Sequence, residues 1–191
     1  MRGEGQFPVR LAFRERGKVR FVSHRDVARA FDRAFRIEQL PLAFTEGFSP
    51  RPKVSFGLAL SVGHESDAEY LDVRLAEPVD LDALPARLSA ALPEGIDVTA
   101  AVLLEDRAPA LQESVTAVEW EIEITGRDGG VVGPETITER IGLALATTSL
   151  PVSRTRKGRQ DTVDIRPAIR HLRVLGAGAV GSVLEIGRAH V

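Results

Sequence analysis

The chain has 191 residues, 43% of them hydrophobic, enough for one large domain or two small ones with a real core. It contains no cysteine, which excludes disulfides and the thiolate ligands that an iron–sulfur radical enzyme needs; radical chemistry, if involved, belongs to a partner. The net charge of −2 conceals a segregation, since residues 1–60 hold twelve Lys/Arg against six Asp/Glu, residues 61–150 five against eighteen, and residues 151–191 eight against three. Two basic ends flanking an acidic middle imply opposite-sign faces or internal complementarity. No run of eighteen apolar residues exists and the start MRGEGQF lacks the apolar stretch of a signal peptide, so the expectation is a cytoplasmic protein with no membrane contact.

Val9, Leu11 and Phe13 alternate with Arg10, Ala12 and Arg14; after Glu15-Arg16-Gly17-Lys18 the alternation resumes at Val19 and Phe21, which predicts a hairpin. Ser23 with Asp26 three residues on reads as a capping-box variant opening a helix to about Gln39, stopped by Pro41. At about 100° per residue that helix has two faces. Val27, Ala30, Phe31, Ala34 and Phe35 form the core side; Arg25, Arg29, Arg33 and Arg36 cluster opposite. The arginine side is either a solvated, helix-favouring surface or a track for anions, because guanidinium forks match phosphates.

Residues 44–63, FTEGFSPRPKVSFGLALSVG, combine prolines, glycines and two cations. Pro50 and Pro52 stiffen Ser49 to Lys53, so Arg51 and Lys53 are expected to be held outward. Val54, Phe56, Leu58 and Leu60 alternate with small or polar residues, the period of a strand, and Gly57 marks a place where another group approaches closely. Phe44 and Phe48 are either core residues or stacking platforms. Further strands are expected over residues 69–75 and 96–104, with a helix over 81–92 after Asp80.

Strand, helix, strand, strand, helix, strand is the ferredoxin-like plan. It restarts after a linker at residues 107–114: a strand over 115–125, a helix over 134–147, a hairpin from 150–155 and 162–165, a short helix over 167–172 and the beginning of a strand over 172–183. The expected class is therefore α+β, two ferredoxin-like halves with antiparallel sheets and helices on one face, the halves being residues 1–106 and 115–184. Residues 185–191 are expected to be foreign, because Ile186 to Val191 spell the hexapeptide encoded by a common sequencing-library adapter. On that reading the second half is truncated.

The 44–63 block, with RFVSHRD (20–26), ESDAEYLDV (65–73) and VDIRP (163–167), resembles the bacterial radical-SAM-linked protein family, a domain of unknown function found beside or fused to cobalamin-binding radical SAM proteins. The resemblance covers nearly the whole chain. It departs at Arg25, where the family's Ser-His-x-Asp segment carries an apolar residue such as Leu. It implies a radical SAM protein as neighbour and names no reaction.

Chemistry has few places to sit. Arg154, Arg156, Lys157 and Arg159 crowd the tip of the second-half hairpin, either as a solubilising loop or as contacts to a phosphate backbone. Ser23, His24 and Asp26 have triad composition, but neighbours at a helix start diverge, so capping explains Ser23 and Asp26, and His24 is expected to turn toward Glu46 or Asp72. Asp72 is expected to pair with Arg51 or Arg20, and Asp164 and Arg166 to fasten sheet to helix. Histidines without motif spacing and the lack of a glycine-rich phosphate loop leave no metal site and no cofactor expected. Three functions remain. The first is a non-catalytic RNA-binding or substrate-presenting module using Arg25, Arg29, Arg33, Arg36, Arg51, Lys53, Arg154, Arg156, Lys157 and Arg159. The second is an RNA-modifying or RNA-processing enzyme with Glu46, Asp26 or Asp72 as acid or base; the third is a protein–protein adaptor. The reading leans toward the first.

Overall fold

The structure is a computed structural model that describes residues 6–105, 108–127, 129–156 and 158–175. The chain divides into two units, one ending at Ser114 and the other beginning at Val115.

The first unit runs β1 (Phe7–Glu15), α1 (His24–Ile37), β2 (Val54–Phe56), β3 (Ser66–Leu75), α2 (Leu84–Ala91), β4 (Ile96–Leu103) and a single helical turn, α3 (Leu111–Ser114). Its four strands are ordered β2-β3-β1-β4 with every pairing antiparallel, the ferredoxin-like plan. The two-residue period of β1 and β3 sends Val9, Leu11, Phe13 and Leu71, Val73, Leu75 to one face, where they are buried beneath α1 and α2. From α1 come Val27, Phe31, Ala34 and Phe35; from α2, Leu84 and Leu88. Phe31 is central: its ring meets Phe13 edge-on at 4.8 Å and lies 5.8 Å from both Phe35 and Phe56.

Two local expectations fail for steric or packing reasons, and the expected linker carries a helical turn. Val19 and Phe21 do not form a second strand but lie in a 3-10 turn, Gly17–Phe21, which tucks Val19 against Gly95. Gly95 has φ +97°, and a Cβ there would sit 2.4 Å from the Arg16 carbonyl, while the Arg16 amide donates to the Gly95 carbonyl at 2.8 Å. The strand expected through Leu60 stops at Phe56, and Leu58 is exposed. The linker expected at 107–114 ends in α3, docked on the sheet face opposite α1 and α2: Leu111 is 4% exposed, and a Cβ on Gly57 would come within 3.0 Å of its side chain. Gln112 donates to the Phe56 carbonyl and the Arg10 guanidinium reaches Ser114 Oγ, so the group that approaches Gly57 is the connector itself.

In the second unit α4 (Pro134–Ala146) precedes a hairpin of β5 (Pro151–Arg156) and β6 (Arg159–Asp164). Residues 115–125, expected to be a strand, form none, and only an isolated bridge joins Thr125 to Val131. The sheet of this unit among the described residues is two-stranded, which with the four-stranded antiparallel sheet of the first unit gives the expected α+β class, and the short helix expected at 167–172 is a 3-10 turn, Arg166–Ala168. Asp164 and Arg166 do fasten hairpin to helix. Asp164 Oδ1 accepts from the Leu150 and Arg166 amides, and the Arg166 guanidinium donates to the Leu145, Thr147 and Ile169 carbonyls. The two amide donors hold the Asp164 carboxyl below the usual range. Most of the strand expected over 172–183, and the hexapeptide tail, lie outside the described residues.

Candidate nucleic-acid interface

The proline-bearing segment is a narrow hairpin, not an isolated polyproline arm. Its base is sewn to the sheet, since Ala43 donates to the Arg74 carbonyl, Arg74 to Lys53 and Lys53 back to Ala43. One rung further out, Phe44 bridges Pro52, the Thr45 amide donates to the Arg51 carbonyl at 2.9 Å and the Arg51 amide to Thr45 Oγ1 at 3.0 Å. Residues 46–50 form the tip, turned by Gly47 at φ +124°, where no atom lies within 4 Å of a would-be Cβ; glycine is needed there for its backbone, not for space. Phe48 stands at the centre of that tip with a relative exposure of 110%, and Phe44 is 50% exposed, so neither is core. Arg51 is exposed beside them. Lys53 is not held outward: it is half-buried and its Nζ donates to Gln6 Oε1 at 3.1 Å.

The α1 arginines are all exposed. Ser23 caps the helix, its Oγ accepting from the Asp26 amide and donating to Asp26 Oδ2 at 2.7 Å, and Arg29 pairs with Asp26 at 3.0 Å. The Ser23 hydroxyl first, and then Arg29, hold the Asp26 carboxyl below its ordinary value. Arg36 donates to the Asp32 carbonyl within the helix. The acids of the unit are distributed unevenly. Arg10, Arg14, Arg16, Arg20, Arg29 and Arg87 each hold a carboxylate. Among the described residues, Arg25, Arg33, Arg36, Arg51 and Arg74 have no carboxylate partner. In the second unit Arg154 contacts Asp161 at 3.3 Å and Arg159 is exposed next to Gly158, while Lys157 lies outside the described residues and Arg156 stands opposite Arg159 in the strand register.

The three proposed acid–base carboxylates are not brought together. Glu46 is exposed on the hairpin tip, Asp26 is committed to the cap, and Asp72 lies on the sheet face opposite the core, in a two-pronged pair with Arg10 at 2.7 and 2.9 Å. Asp72 thus pairs as expected in kind but with Arg10, not Arg51 or Arg20, and Arg20 holds Glu65 instead. His24 turns to neither Glu46 nor Asp72; its ring stands edge-on to Phe56 at 5.2 Å. Among the described residues no three His, Cys, Asp or Glu side chains group to hold a metal, and no helix is long and apolar enough to cross a membrane.

Two acidic residues on the core side of the sheet, Glu15 and Glu69, have carboxyls raised above their ordinary values. Glu15 continues the inward series Val9, Leu11, Phe13 and is 5% exposed, and Glu69, in register with Phe13, shares that face. Burial, and secondarily the charge of Glu69, pushes the Glu15 carboxyl up to about 7; burial also raises Glu69, against an opposing hydrogen bond from Ser66. The signal was present in the sequence as the parity of position 15.

Compared with curated proteins, the chain matches none. Over residues 9–189 it matches a bacterial family profile, and so the chain belongs to DUF2344, a family described as an uncharacterized protein conserved in bacteria.

Proposed function

We propose that this chain is a cytoplasmic accessory module that binds RNA, or presents it, to a cobalamin-binding radical SAM partner. The observation that carries the reading is the uneven pairing of the arginines. Carboxylates neutralise Arg10, Arg14, Arg16, Arg20 and Arg87, whereas three of the four on the outer face of α1, together with Arg51 and Arg74, are left exposed without an acid among the described residues. Asp26 and Asp32 share that side of α1, so the face is a mixed surface with an excess of cations, suited to phosphates spaced along a strand and not to one compact polyanion. The partner rests on the family resemblance, and the lack of cysteine is consistent with the radical chemistry belonging to that partner.

The test is binding of a labelled oligouridylate to the full chain across a salt series. Changing Arg25, Arg33 and Arg36 together to Gln keeps helix propensity, because Gln is close to Arg as a helix former. The expected result is weaker binding and a salt slope shallower by about 0.7 for each phosphate no longer neutralised, roughly 2 in all. Unchanged affinity and slope in the triple variant refute the role of α1.

A further inference from the structure

We infer that the 44–53 hairpin is a stacking finger that takes one unpaired nucleobase on the face of Phe48 while Arg51 holds the flanking phosphate. The inference rests on the RNA-binding reading and names the feature of RNA the module selects: an unstacked base, in a single strand, loop or bulge.

An isolated exposed apolar side chain needs no explanation on most surfaces. Phe48 differs in three respects. It is more accessible than in an extended peptide, so no part of its ring is used by the fold. It stands at the apex of a tip whose base is closed by the Thr45–Arg51 backbone and side-chain bonds and by Pro50 and Pro52, so the ring is presented by a stiff support and little freedom is lost when a base docks. And Arg51, the first residue beyond the tip, is a guanidinium with no acid partner among the described residues. An aromatic face for the base with a cation for the backbone is the pairing by which proteins hold single strands. A duplex keeps its bases stacked and offers the ring only an edge or a phosphate, so the finger selects against continuous duplex.

The experiment uses the full chain and an oligoribonucleotide carrying one 2-aminopurine, compared single-stranded and annealed to its complement. The expected result is a change in 2-aminopurine emission on binding the single strand and little on the duplex. Phe48→Ala should abolish the emission change and weaken binding about tenfold or more, while leaving the salt slope intact, because the ring contacts no phosphate. Phe48→Trp should restore both. Arg51→Gln should lower the slope by about 0.7. An unchanged emission signal in Phe48→Ala, with the α1 triple variant still impaired, overturns the finger and leaves RNA binding standing. Absence of RNA binding by the wild-type chain overturns both. Phe48-dependent sedimentation with phosphatidylglycerol vesicles, without a 2-aminopurine response, also refutes the finger, because the ring is then a membrane anchor.

Discussion

Replacing Glu15 by Gln should make the first unit more stable at alkaline pH and leave it nearly unchanged at acid pH. The carboxyl has its ordinary value of 4.5 in the unfolded chain and about 7 in the fold. Below the unfolded value both states are protonated and there is no penalty. As pH rises above it, the unfolded chain releases the proton while the folded chain must keep it, so stability falls until the folded carboxyl ionises near 7. At about 1.4 kcal/mol per tenfold in proton affinity, the full fall is about 3 kcal/mol, an upper figure because water entry and local relaxation soften it. Urea unfolding at pH about 5 and about 8 measures it. The chain has one Trp and one Tyr, and in a Trp120→Phe background Tyr70, on β3, reports on the first unit alone. Wild type should lose stability over that window. The Glu15→Gln variant should lose much less, with a smaller remainder from Glu69. If the two profiles are parallel, or if wild type gains stability as pH rises, the burial argument is wrong.

Gly95→Ala should destabilise the first unit by about 1–3 kcal/mol, since it needs φ +97° and places a Cβ against the Arg16 carbonyl; denaturant midpoints measure it, and a loss below a few tenths would mean the turn simply relaxes. Glu46→Gln, which removes a negative charge from the hairpin tip without altering its shape, should leave RNA affinity unchanged or raise it, as read in the same oligouridylate titration; a fall in affinity would mean that Glu46 contacts the ligand.

What could be read in advance was whatever a period encodes. The inward series of β1 and β3, the two-faced α1 and the Ser23 cap all depend on near neighbours, and each is where the sequence puts it. The failures come from contacts distant in sequence. Val19 looks like a strand residue until Gly95, on another element, offers it a seat. Leu58 keeps the alternation of Val54 and Phe56 although the ladder ends where Leu111 settles over Gly57. For the same reason the functional candidates divide: the exposed arginines needed only a helical wheel and the inward parity of Glu15 and Glu69 only the strand period, whereas their closeness to one another needed the register of β1 against β3. Residues 115–125 alternate enough to suggest a strand but have no neighbouring strand to pair with among the described residues.

Leu111, seated over Gly57, also decides where the first unit can be cut. A fragment ending at residue 106, before the expected linker, would keep all four strands and both long helices of the first unit yet lose the side chain that covers Gly57, the amide bonded to the Phe56 carbonyl and the hydroxyl beside Arg10. The outer face of β2 and β3 would then be open to water along a three-residue edge strand, the kind of edge that recruits other chains. Such a fragment should self-associate, whereas one carried through Ser114 brings its own cover.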